Sequence, residues 1–282
     1  MNQLRKAFRY LVLLALVANG PALAGDSQTH DRFLRTLVHA IVAKNSAALD
    51  RLLTPRNVRR LSRSERVDLM IGLIDHDELR GLAAAVQAGV DPNQPIAFDR
   101  DGEVVTFTPL NYAIASHQDG LAAIRLIELG ADANGFSVDD DAPLLTATGL
   151  RAARVVNRLL TAGAKPNVRD RIVGVTPLMV AVARATDGDD TLASAKALVA
   201  RGADLDATTT TGHTALMFAA LYGNDEAAQW LIQSGADASL VADGGVTYGT
   251  LAAKPSELRQ TLRHVDALLD KLKIKDPGVA HE

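Results

Sequence analysis

The chain has 282 residues, a net charge of −3, a hydrophobic share of 48% with only 4% aromatics, and no cysteine. Without cysteine, disulfides and thiol catalysis are excluded, and the near-balanced charge argues against a general nucleic-acid binder, which would carry a basic stripe. With few aromatic rings, packing falls to Ala, Leu and Val, and such small side chains suit many short, closely stacked helices better than one bulky core.

The N-terminus has three parts. Arg5, Lys6 and Arg9 form a basic start, residues 11–18 (LVLLALVA) an apolar run, and Asn19-Gly20-Pro21 a break before Ala22 and Ala24, whose small side chains fit a signal-peptidase pocket. The apolar run is well short of the ~20 residues that span a bilayer. Residues 1–24 are therefore expected to be a signal peptide cleavable after Ala24, which delivers a periplasmic protein with no transmembrane anchor. Cleavage removes three positive charges and leaves the mature chain at −6.

Residues 25–30 are expected to be a flexible start. Residues 33–53 then show helix-loop-helix spacing without a closing glycine, as an N-terminal cap of a helical stack would. Residues 54–66 gather Arg56, Arg59, Arg60, Arg63 and Arg66, a run read as a solvated connector or a surface for an anionic partner. A helix pair over residues 63–91 ends in Gly89-Val90-Asp91-Pro92-Asn93. Next, Ile96-Ala97-Phe98 and Val104-Val105-Thr106-Phe107 flank a polar Asp-Arg-Asp-Gly turn, which predicts a β-hairpin.

From there the chain repeats. TPLNYAIA begins at Thr108, APLLTATG at Ala142, TPLMVAVA at Thr176 and TALMFAAL at Thr214, at spacings of 34, 34 and 38 residues. A Gly-Ala-Asp-like marker runs in step, at Gly89, Gly130, Gly163, Gly202 and Gly235. Thr108, Thr176 and Thr214 can cap a helix through the hydroxyl, and Pro109, Pro143 and Pro177 take the first helical position, where a missing N–H costs nothing. The glycines end second helices in a left-handed turn, and the Asp or Asn that follows can bond backbone in the turn. After Gly245 come a degenerate seventh unit and an amphipathic capping helix over residues 255–273, with residues 274–282 as a flexible tail.

These motifs resemble the ankyrin repeat, with its Thr-Pro-Leu-His and Gly-Ala-Asp signatures, over about residues 31–273. The resemblance implies an all-α solenoid of six to seven helix-turn-helix units with short β-hairpin fingers. Asn111, Leu145, Met179 and Met217 stand where the family has histidine, so a bond between neighbouring units is lost or substituted there.

Candidate chemistry is sparse. Asp187, Asp189 and Asp190 lack the closing bidentate Glu of a calcium loop and read as a solvated turn before a helix. Asp139-Asp140-Asp141 sits where a finger meets a helix N-terminus, which favours acids. No two histidines have metal-ligand spacing on one helix, and no nucleophile or phosphate-loop motif occurs, so no catalytic residue, metal or cofactor is assigned. The resemblance implies protein binding through a concave face of finger tips and first helices. Mapped onto this sequence, that face comprises Val104, Phe107, Ile172, Val173, Val175, Arg184, Thr211, His213, Leu221 and Tyr222. The function expected is that of a monomeric, non-catalytic periplasmic module that binds a protein partner, as an immunity protein or as a protector or assembly factor for an enzyme. The alternatives are an enzyme with a site near residues 93–107 and Asp139–Asp141, or a host-directed secreted effector.

Overall fold

The computed structural model describes residues 26–100, 103–116, 119–136, 142–183 and 189–253. The expected signal peptide (1–24), capping helix (255–273) and tail (274–282) lie outside them, as do Arg184 and Asp139–Asp141.

Helices dominate, and they come in pairs. The first pair is α1 (Asp26–Val42) with α2 (Ser46–Leu52), followed by the short α3 (Pro55–Arg60). Then come α4 (Arg63–Asp75) with α5 (Leu79–Gln87), the hairpin β1 (Ile96–Arg100) and β2 (Glu103–Phe107), and α6 (Pro109–Ser116) with α7 (Leu121–Glu128). Three further pairs follow: α8 (Pro143–Gly149) with α9 (Ala153–Thr161), α10 (Pro177–Ala183) with α11 (Asp189–Ala200), and α12 (Ala215–Leu221) with α13 (Asp225–Gln233). A last small hairpin, β3 (Val241–Ala242) with β4 (Val246–Thr247), leads into α14 (Tyr248–Ala253), the first helix of a seventh unit.

The packing is that of an all-α solenoid. First helices stack in one row, α4 on α6, α6 on α8, α8 on α10, α10 on α12 and α12 on α14, while α2, α5, α7, α9 and α11 form a second row. Every residue of α8, α10 and α12 is buried. A helix enclosed on all sides must be apolar all round, and helices a unit apart can close on it only if its side chains are small. That is why PLLTATG, PLMVAVA and ALMFAAL carry no charged residue and hold six alanines between them.

The caps follow the sequence reading. Thr108 Oγ1 accepts from Asn111 N at 3.1 Å, Thr176 Oγ1 from Met179 N at 3.4 Å and Thr214 Oγ1 from Met217 N at 3.3 Å. The five glycine markers all have positive φ, from 87° at Gly202 to 104° at Gly89. The N-terminal helix begins earlier than expected. Residues 26–30, read as flexible, belong to α1, and His30 Nε2 lies 2.7 Å from Glu65 Oε1. That bond ties the start of the chain to the capping box of α4, formed by Ser62 and Glu65.

The turns carry a device that spacing alone does not show. In the markers that carry it the Asp acts locally: Asp132 Oδ1 accepts from Asn134 N at 2.8 Å, and Asp204 Oδ1 from Asp206 N at 3.0 Å. The residue two further on reaches across to the next unit. Asn134 donates Nδ2 to Gly163 O (3.0 Å) while its Oδ1 accepts from Lys165 N (2.9 Å), and Asn167 does the same to Gly202 O (3.0 Å) and Asp204 N (2.8 Å). Asn93 begins this ladder on Gly130 O and Asp132 N. At the last rung Asp206 replaces Asn, and its Oδ1 accepts from Asp237 N at 2.8 Å. A carboxylate has no proton with which to repeat the amide's donation to the glycine carbonyl.

Candidate binding face

The segments between second and first helices project as fingers. The longest is the predicted hairpin: Ile96 pairs with Phe107, Phe98 with Val105 and Arg100 with Glu103, in antiparallel register. Ile96 is wholly buried and anchors its base.

Later fingers are held by side chains rather than by long ladders. Asp170 is buried, and its carboxylate accepts from Ile172 N (2.8 Å), Val173 N (3.1 Å) and Val175 N (2.6 Å), which fixes the whole turn. In the next finger Thr209 Oγ1 accepts from His213 N at 3.1 Å, and Thr209 N donates to His213 O at 2.9 Å. The fingers are also joined to each other. Thr210 N donates to Val173 O (2.9 Å), Asp243 N donates to Thr211 O (3.0 Å), and an Arg169 guanidinium donates to Thr208 O.

On this frame Ile172 is 63% exposed, Val241 61% and Phe136 52%, with Thr210 and Thr211 exposed on the finger between Ile172 and Val241. Of the residues assigned to the face from sequence, Ile172 and Thr211 are thus open to solvent, and Phe107 and Val173 are half-buried against the core. The side chain of Val104 and the whole of Arg184 fall outside the description. Three assignments are corrected. Val175 is wholly buried, because it is the inward turn residue that follows Ile172 and Val173. His213 is buried at the finger base, with Nδ1 2.9 Å from Thr211 Oγ1. Leu221 is 2% exposed because α14 and the last hairpin cover it, with Leu251 and Ala242 packed into one cluster with Met217 and Ala220. Tyr222 is half-buried, its ring stacked on Phe218 at 6.4 Å between centroids.

Sequence reasoning missed Phe136 and Val241. Both stand six residues beyond their glycine marker, Gly130 and Gly235, just past the turn that the marker's Asp closes. That spacing was available as a signal.

The chemistry of the face is apolar and hydroxylic. Burial holds the His213 imidazole below its usual pKa, against the opposing pull of Asp243, so the ring is neutral near pH 7 and serves as part of the finger's frame. A larger perturbation lies in α4, toward the N-terminal side of the stack. Burial, aided by the charge of Glu65, pushes the Asp68 carboxyl up to about 6. One Asp68 oxygen is buried with no hydrogen-bond partner among the described residues. No described helix is long and apolar enough to cross a membrane.

Comparison with known proteins agrees with this geometry. Residues 144–242 match the family model described as ankyrin repeats in three copies. Protein PhlB of Serratia liquefaciens is 41% identical over 76 residues, which is 27% of this chain and 33% of that protein. The match thus spans about a third of the curated relative's length.

Proposed function

Since the chain is an ankyrin-repeat protein, and so a protein–protein interaction module, we propose that it works in the periplasm as a non-catalytic binding module whose partner lies along its row of fingers. The observation that carries this reading is the rigid display of Ile172 and Val241, each more than half exposed, on fingers bonded to one another through Thr210 and Thr211. Exposed apolar groups on a fixed backbone suit recognition, because little conformational freedom is lost when a partner covers them. The layout of residues 1–24, with Ala22 and Ala24 before Gly25, supports export on this reading. The partner on this reading is a toxin that the module neutralises or an enzyme that it protects or assembles. A neighbouring toxin gene favours the first and a neighbouring enzyme gene the second.

The test is capture from a periplasmic extract with wild-type protein and with a variant combining Phe136→Ser, Ile172→Ser and Val241→Ser. The isolated wild type is expected to begin at Gly25 and to retain a partner. The variant should bind it with an affinity loss of ~2 kcal/mol or more, roughly thirtyfold, at an unchanged Tm. Undiminished capture by the variant would move the binding face elsewhere, and a chain that still carries its first 24 residues would remove the export reading.

A further inference from the structure

The fingers do not use the arginines of residues 54–66. Thr54 caps α3 and Pro55 opens it, Val58 and Leu61 bury their side chains, and Arg56, Arg59, Arg60 and Arg63 stand exposed. Among the described residues none of these four makes an ion pair, whereas Arg80 meets Asp50 at 2.9 Å and Arg158 meets Glu128 at 2.7 Å. Arg66 is occupied internally, with Nε donating to Leu61 O at 3.1 Å.

Folding does not favour this arrangement. Arg56 and Arg60 are four apart on one helix, where like charges repel. Arg56 is the second residue of α3 and Arg63 the first of α4, places where the helix dipole disfavours a cation. A plain solvated surface accounts for Arg59 and Arg60 in the last turn of α3, and it leaves Arg56 and Arg63 unexplained.

The residue type points to the ligand. Between residues 28 and 66 there are nine Arg and Lys against three Asp and Glu, and eight of the nine are Arg. The guanidinium fork matches a carboxylate with two parallel bonds, which an ammonium cannot do. The last described units are opposite in sign, since residues 202–253 hold six Asp and Glu and no Lys or Arg. A partner lying along the stack therefore meets complementary potential only if its acidic part faces α3. No large apolar side chain is exposed among residues 54–66, and a surface that enters a bilayer would use one.

We propose that Arg56, Arg59, Arg60 and Arg63 form a second docking surface, at the N-terminal end of the stack, which takes an acidic segment of a protein partner. The proposal rests on the reading of the chain as a protein-binding module. It is tested on the purified chain by fluorescence anisotropy with a labelled oligoglutamate peptide. The variant Arg56→Gln, Arg60→Gln, Arg63→Gln is compared with a control that removes three exposed cations elsewhere, Arg154→Gln, Lys165→Gln, Lys196→Gln.

The peptide is expected to bind wild type and control within about twofold of each other and the arginine variant about tenfold or more weakly, with affinity falling as salt is added. Circular dichroism should find the arginine variant folded, because the side chains removed are exposed and mutually repulsive. Equal loss in the control, or no binding of the peptide to wild type, overturns the proposal. Sedimentation of the wild type with phosphatidylserine-containing vesicles, with the peptide unbound, overturns it in favour of lipid. A partner captured through the fingers and insensitive to the arginine variant, with the peptide unbound, overturns it and leaves the protein-binding reading standing.

Discussion

Leu221 illustrates how one residue's role turns on a neighbour distant in sequence. Read on its own repeat, it ends a first helix and faces the groove; in the molecule Leu251, thirty residues on, covers it. Leu221→Ala is therefore expected to destabilise by about 2–5 kcal/mol, as for a buried leucine, and chemical denaturation measures this directly. A loss under about 0.5 kcal/mol would return the side chain to the surface. Asp68 allows a second test. Its folded pKa of about 6 lies above the ordinary 3.8, so the native state binds more protons than the unfolded chain between those values. Its contribution is then neutral at low pH and turns destabilising as pH rises through that window. Asp68→Asn should accordingly raise Tm at about pH 7.5, with the gain shrinking toward zero near about pH 4. A gain that does not vary with pH would place its cause outside this carboxyl.

At the scale of the element, the marker turns both end helices and join units. Asn167 makes two bonds to the next turn, one as donor to Gly202 O and one as acceptor from Asp204 N. Asn167→Ala removes both, an expected loss of about 1–2 kcal/mol on thermal or chemical unfolding. Asp206 stands in the equivalent place with its acceptor in use and no amide to donate. Asp206→Asn supplies the missing donor for Gly235 O and should stabilise by about 0.5–1.5 kcal/mol. A neutral or harmful outcome would mean that the last turn does not match the geometry of those before it. Short helices such as α10 and α12 gain their stability from these ladders and from enclosure, since seven residues alone form no stable helix in water.

At the scale of the whole molecule, the main contacts among the described residues run between neighbouring units, so perturbation should stay local. Gly202 has φ +87° and open space where a Cβ would stand, so the cost of a side chain there is chiefly that of the left-handed backbone. Gly202→Val should destabilise by on the order of 1–3 kcal/mol. Hydrogen exchange should quicken in α10 to α13 and hold in α1 to α5; a uniform change along the chain would mean that the stack unfolds as one cooperative block. Charge is also distributed at this scale, positive around α3 and negative past Gly202, and it gives the stack a polarity along its length that the overall −3 conceals.

The repeat architecture was written into the sequence because each unit is specified locally. A Thr hydroxyl beside its own helix start, a proline at the first turn and a glycine at positive φ act within four or five residues, so Thr108, Pro143 and Gly202 could be read one by one. The hairpin at Ile96–Phe107 was legible for the same reason, through alternation and a polar turn. Exposure was decided only by the tertiary structure. Whether His213 and Leu221 face water depends on how the finger folds back and on what the seventh unit lays over it, about twenty to thirty residues away for Leu221. The Asn ladder likewise joins residues 29 to 39 apart, and a side chain that completes a neighbour's turn leaves no mark on its own. Local capping and turn geometry thus set the elements, while long-range burial set the face they present.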